Sequence, residues 1–432
     1  NTVSGVISDG AYTLSLGKQE TGTWTLSNAN TYSGATTISA GKLVLANTLA
    51  AQNSTVTVSV SDGLAFDTAT AFTLGGLAGA NNFALTNTTG AAVVLSIGNN
   101  DAGTTYDGVM SGIGSLTKAG SGKTVLSGAN TYSGRTTVSG GTLECTAGGT
   151  VAASTNLTIS SGAQFDIHNI GDVVGNTCPV YLDGMADLTN GANEAVLSLT
   201  KGGLMYPAGT WGSSSSAADY QDDAHFGGSG ILTCTTGLPV DDGSWDEDAA
   251  GYWSVSNNWT NGVIAFGVGK TAYFTNSITA NRVVTNDYSP VRLGSLVFGS
   301  PANNWTVTNS TILLTNSTMP SIAVNSNTAT INSVLSGQGG MAKSGPATLI
   351  LAAANTYSGG TTISAGTLQV GNGGTAGSLG SGNITDNGTL TYSYNSATTV
   401  SLPSGAGISG SGNLNSTAGV IQFNGNITLG GS

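Results

Sequence analysis

A thirteen-residue string recurs three times in this chain, and that recurrence limits the fold more than any other feature. Residues 29–41 read Ala-Asn-Thr-Tyr-Ser-Gly-Ala-Thr-Thr-Ile-Ser-Ala-Gly, residues 129–141 read Ala-Asn-Thr-Tyr-Ser-Gly-Arg-Thr-Thr-Val-Ser-Gly-Gly, and residues 354–366 read Ala-Asn-Thr-Tyr-Ser-Gly-Gly-Thr-Thr-Ile-Ser-Ala-Gly. Aligning the copies assigns faces. Leu26, Ile38, Leu43 and Leu45 correspond to Leu126, Val138, Leu143 and Cys145, and to Leu351, Ile363, Leu368 and Val370. All twelve are apolar, whereas positions between them vary freely, as in Val44, Glu144 and Gln369. A constant apolar face with period two is the mark of half-buried strands. These twelve residues are therefore the expected repeat core.

The segments between the strands carry turn chemistry without hairpin dipeptides of the Asn-Gly kind. Asn30, Tyr32 and Gly34, with Asn130, Tyr132 and Gly134 and with Asn355, Tyr357 and Gly359, are the expected repeat turns. Gly41, Gly141 and Gly366 occupy a second corner. Such glycines suit a positive φ or a close backbone approach. Short strands that turn repeatedly in one sense, with small residues at each corner, predict coils of an all-β parallel β-solenoid with little or no α-helix. A coil takes some 20–25 residues by the repeat spacing.

The run Leu-Thr-Lys-Ala-Gly-Ser-Gly-Lys-Thr-Val-Leu-Ser-Gly at residues 116–128, followed by the second copy, resembles the autotransporter-associated β-strand repeat. That resemblance implies a right-handed parallel β-helix of the passenger-domain type, displayed at the bacterial cell surface or secreted. Residues 206–214 together with 226–233 resemble the closing segment of such a unit, and residues 244–259 the opening of the next. The chain departs from the autotransporter pattern in showing no C-terminal run of alternating membrane strands. Both ends read as cuts through a longer repetitive protein. Pro239 and five acidic residues (Asp241, Asp242, Asp246, Glu247 and Asp248) mark a junction near residue 240. The expected units are 1–239, with two repeat copies, and 240–432, with one clear copy.

Composition narrows the function. Glycine supplies 66 of 432 residues, about twice its usual share, and only 7% of residues are charged. The net charge of −12 and the absence of a Lys/Arg cluster exclude a nucleic-acid binder. No apolar run is long enough for a membrane-spanning helix. The ten cations, Lys18, Lys42, Lys118, Lys123, Arg135, Lys201, Lys270, Arg282, Arg292 and Lys343, read as scattered. Cleavage of acidic polysaccharide needs several of them grouped. Three cysteines without a Cys-x-x-Cys pair argue against a disulfide framework or a zinc site. Cys145 and Cys234 fit strand interiors, while Cys178 precedes Pro179 in an expected loop, free or paired.

Parallel β-helices also host lyases and hydrolases, so the acidic and imidazole groups bear on function. Asp219, Asp222, Asp223 and His225 offer carboxylates and an imidazole for acid–base work. They follow a Ser/Ala-rich loop, where such side chains are ordinarily just solvated. Asp246, Glu247 and Asp248 suggest calcium, but the spaced D-x-D-x-D-G loop is missing. His168 stands alone. Tyr32, Tyr132 and Tyr357, or Trp245, Trp253 and Trp259, suit sugar stacking, yet filling gaps at turns and junctions accounts for them as well. No catalytic residue, cofactor or metal is assigned. The expectation is a non-enzymatic extracellular structural or adhesive segment continuing end-to-end as a fibre, with a glycan-binding or glycan-cleaving β-helix as the alternative. Candidate partners are neighbouring copies, further solenoid repeats and surface glycans.

Overall fold

The computed structural model describes residues 1–146, 148–168, 171–316, 318–395, 399–401, 406–418, 420–422 and 426–429. Among them there is no α-helix; the helical turns are three-residue 3₁₀ segments at Thr189–Gly191, Ser256–Asn258 and Thr260–Gly262. The chain is a β-solenoid of about 19 parallel turns, divided into two compact units, Asn1–Leu238 and Pro239–Ser432.

In the first unit, consecutive coils contribute strands to shared parallel ladders. One ladder runs through Val94–Ile97, Ser115–Lys118, Thr136–Val138, Leu157–Ile159, Pro179–Leu182 and Ser198–Lys201. A second runs through Thr104–Tyr106, Lys123–Leu126, Thr142–Cys145, Gln164–Ile167 and Met185–Leu188. Because pairing is parallel and in register, a side chain meets its counterpart from the next coil, and apolar positions form columns. Tyr106, Leu126, Cys145, Ile167 and Leu188 make one such column, each member no more than 1% exposed. Each buried Leu or Ile is worth about 1.5–3 kcal/mol, so the alternation seen in sequence is the main source of cohesion between coils. The twelve repeat-core residues all lie inside, with at most 1% exposure.

The corners explain the recurrent glycines. Gly41, Gly141 and Gly366 have φ of 65°, 57° and 68°, a left-handed conformation that L side chains adopt reluctantly. Gly34, Gly134 and Gly359 have no positive φ; instead a Cβ would sit 2.2–2.3 Å from backbone atoms of the preceding coil.

The last coils of the first unit combine parallel pairing, of Met185–Leu188 with Phe226–Gly228 and of Asn193–Val196 with Ile231–Cys234, with antiparallel pairing. Ser198–Lys201 folds back on Leu204–Met205, and Gly209–Gly212 pairs antiparallel with Ile231–Cys234. This is the segment whose sequence broke from the repeat. The three thiols are free and buried. Cys178 directly precedes the strand Pro179–Leu182 and is 1% exposed.

The second unit uses three ladders. Thr271–Phe274, Arg282–Asn286 and Val291–Leu293 form one coil, and Ser295–Phe298, Trp305–Asn309 and Ile312–Leu314 form the next. Its first coil is sealed by Trp245, Trp253 and Trp259 packed around Phe274, with centroid separations of 5.0–6.1 Å. The Trp253 indole N–H donates to Ala265 O and that of Trp259 to Trp253 O. These tryptophans are at most 2% exposed, so their faces are spent on packing.

Candidate functional site

The polar residues of each repeat converge on the corners between coils. The Asn130 side chain accepts from Met110 N–H at 2.8 Å and donates to Thr150 O at 3.1 Å, which ties together three successive coils. Asn30 does the same between Ile7 N–H and Ala50 O, and Asn355 between Leu335 N–H and Ser378 O. The phenols of Tyr32, Tyr132 and Tyr357 sit 2.6–2.7 Å from the Oγ1 atoms of Thr36, Thr136 and Thr361. Burial pushes all three phenols up, that of Tyr357 to about 12. With at most 1% exposure, none offers a ring face to a sugar.

Three of the scattered cations share one environment. Lys18, Lys118 and Lys343 hold equivalent inward positions, at most 3% exposed. The Lys118 ammonium donates to Ala119 O, Gly120 O and Gly140 O at 2.6, 3.1 and 3.1 Å. Lys18 donates to Gln19 O, Glu20 O and Ala40 O, and Lys343 to Ser344 O, Gly345 O and Ala365 O. A lysine has three donors and no acceptor, so three converging carbonyls satisfy it without a carboxylate. Burial lowers the Lys343 ammonium to about 8. The signal was present in sequence: each lysine stands at the same offset before Ile38, Val138 or Ile363, its register partner in the next coil.

The acidic stretch that suggested catalysis is not uniformly solvated. Asp219 and Asp223 are exposed, but Asp222 is 7% exposed, with Lys201 Nζ at 2.5 Å and His225 Nδ1 at 2.8 Å from its Oδ2. The Lys201 ammonium also lies over the rings of Tyr206 and Trp211, at 4.1 and 4.8 Å. Burial opposes ionisation of Asp222, but the His225 hydrogen bond and the Lys201 charge outweigh it and hold the carboxyl well below its usual range. A carboxylate locked in this way is a poor proton donor or acceptor near neutral pH. Its arrangement is that of a structural ion pair inside the closing segment.

His168 does not stand alone. Glu144, Asp166 and Asp187 follow one another in register on successive coils, and His168 Nδ1 lies 3.3 Å from Glu144 Oε1. Ligand atoms of Glu144, Asp166 and His168 fall within 4.8 Å of one another. Lys123 pairs with Glu144, and Gln164 Nε2 donates to Asp166 Oδ1 at 2.7 Å. Asp248, one of the three residues that suggested calcium, is occupied by Arg282 at 2.8 Å and by Thr279. Asp246 and Glu247 are exposed.

A groove of about 440 Å³ runs along the outer wall of the first unit, lined by Arg135, Asn156, Thr158, Tyr181, Asp183 and Thr200. These residues come from four consecutive coils, with Thr158, Tyr181 and Thr200 in one register row. Tyr181 is 41% exposed.

Residues 16–45, 116–144 and 341–370 each match the passenger-associated-transport-repeat family model. The chain carries three passenger-associated-transport-repeats. Each match begins two residues before a corner lysine and embraces the Asn–Tyr–Gly turn, so the repeat is one set of inter-coil fastenings. The chain is similar to the adhesin BmaC autotransporter of Brucella suis biovar 1 (strain 1330), with 30% identity over 438 residues, 88% of this chain and 12% of that protein. It thus spans only about an eighth of the length of the relative it matches. No solved structure matches.

Proposed function

We propose that this chain is a non-enzymatic, extracellular adhesive segment of a large bacterial surface protein, a β-solenoid that presents its side walls to a partner. The observation that carries this reading is where the reactive residue types go. In each repeat the Asn, Tyr and Lys side chains are buried and committed to hydrogen bonds between or within coils, and Asp222 is locked to Lys201. The outer rows are dominated by short neutral side chains such as Thr117, Thr137 and Thr158. The similarity to a protein named as an adhesin supports the same reading.

The test is binding of the fluorescently labelled chain to mammalian cell monolayers, with a β-solenoid of unrelated sequence as control. Saturable binding above the control is expected. Binding no greater than the control removes the adhesive reading. Incubation with acidic and neutral polysaccharides tests the enzymatic alternative: turnover that disappears in the Asp222→Ala and Asp223→Ala variants overturns the non-enzymatic assignment.

A further inference from the structure

Two departures from the repeat meet at the outer groove of the first unit. The position held by Arg135 is Ala35 in the first copy and Gly360 in the third, so the coil does not need an arginine there. Arg135 is exposed and forms no ion pair among the described residues. Tyr181 occupies a register row whose other members are Thr73, Ser96, Thr117, Thr137, Thr158 and Thr200. In a row otherwise of threonine and serine, this aromatic residue is held 41% exposed on the outer wall. Both replacements line the same 440 Å³ groove, a volume within the usual range for small-ligand sites.

We propose that this groove binds an oligosaccharide bearing a carboxylate. This deepens the adhesive reading and rests on it. The Tyr181 ring supplies an apolar face for a sugar ring while its hydroxyl stays wet. The Arg135 guanidinium offers a planar fork that matches a carboxylate in a bidentate pair. Thr158 and Thr200 flank Tyr181 in the adjacent coils and present hydroxyls to sugar hydroxyls. Asp183 accepts from Gly202 N–H through Oδ1 at 2.7 Å, which fixes the carboxylate and leaves Oδ2 to accept from a hydroxyl. Coils stacked about 4.8 Å apart give the four-coil row a length of about 14 Å, room for a short oligosaccharide. Asp183 is the one carboxylate among the lining residues, and physiological salt screens the more distant negative charge of the chain beyond about 8 Å.

The experiment is titration calorimetry of the whole chain with a sialylated trisaccharide, a glucuronic-acid trisaccharide and the methyl ester of each. Binding of at least one free acid, with about tenfold or greater weakening in its ester and in Arg135→Ala, is expected from the loss of a charge-assisted pair. Tyr181→Thr, which restores the row, should weaken binding similarly. Arg135→Ala copies the residue of the first repeat, so an unchanged melting temperature and circular dichroism spectrum separate lost binding from lost folding. The two acids distinguish a sialoglycan from a uronic-acid polymer as the source. Absence of binding to either acid, or equal binding by the wild type and both variants, overturns the proposal. If cell binding persists in that case, the adhesive reading stands and only this groove is eliminated; if cell binding is also absent, both fall.

Discussion

Replacing Lys118 by Met isolates the contribution of a buried corner lysine. Methionine keeps an unbranched stem of similar reach in the column that includes Ile97, Val138, Ile159 and Leu182, so packing changes little. Three charge-assisted hydrogen bonds to Ala119 O, Gly120 O and Gly140 O are lost, at about 1.5–3 kcal/mol each. Two effects offset this. The ammonium no longer has to be desolvated, a cost of several kcal/mol, and the three carbonyls belong to half-buried corner residues that water reaches in part. The net loss is about 3 kcal/mol, or about 6–12 °C in melting temperature for a unit of this size. Thermal unfolding followed by far-UV circular dichroism measures it, with exposed Lys42→Met as the reference, expected to shift stability by less than about 0.5 kcal/mol. Hydrogen exchange should localise the loosening to the corner at residues 118–122. A Lys118→Met protein as stable as the Lys42→Met reference would show that the lysine is merely tolerated in the column and does not hold the corner.

Glu194 is 1% exposed and accepts from Val173 N–H and Val174 N–H; burial raises its carboxyl from the ordinary 4.5 to about 7. The native state then holds a proton that the unfolded state has released, so the first unit should lose stability as pH rises from about 4.5 to 7 and stay level above, by about 3 kcal/mol. Urea denaturation across that window measures the slope, and Glu194→Gln should flatten it. Asp222→Asn strips the partner from buried Lys201 and should cost about 3–5 kcal/mol, whereas exposed Asp223→Asn should cost less than about 0.5 kcal/mol; equal effects in denaturation would refute the assigned ion pair. Tyr132→Phe removes the contact with Thr136 and should cost about 1 kcal/mol, with a comparable coupling to Thr136→Val in a double-mutant cycle.

The apolar face was legible because alternation and recurrence agreed: Leu126, Val138, Leu143 and Cys145 are apolar in every copy and buried in the fold. The burial of Lys118 was not legible because a cation is ordinarily a surface residue, even though it recurs at a fixed offset from a core position. Its carbonyl acceptors belong to the backbone and leave no trace in residue identities. The Lys201–Asp222 pair was hidden for a different reason. The residues between them make the antiparallel closure, and nothing local shows that this insertion returns Asp222 to the end of a core column. Glu144 and His168 lie on neighbouring coils, and their approach depends on coil length and on the path of the chain after Ile167. Arg135 already departs from the other two repeat copies in sequence, but Tyr181 gains meaning only when read against register, since its row is not displayed as a row in the sequence.

The low charge content follows from the same geometry. Parallel in-register stacking places each outward side chain next to its counterpart from the neighbouring coil, about 4.8 Å away, so a charged residue type repeated with the coil confronts itself. Threonine and serine avoid that cost, and the row containing Thr117, Thr137 and Thr158 is the result. Where carboxylates do stack, at Glu144, Asp166 and Asp187, the strain is visible: burial and then the neighbouring Asp187 charge raise the Asp166 carboxyl, and Lys123 and His168 gather beside Glu144. Other carboxylates occupy turns, where Asp9 caps Leu14 N–H and Ser33 N–H and Asp101 caps Ser121 N–H. In a solenoid wall an isolated charge such as Arg135 is therefore conspicuous, because the architecture favours neutral rows and no ion pair among the described residues accounts for it.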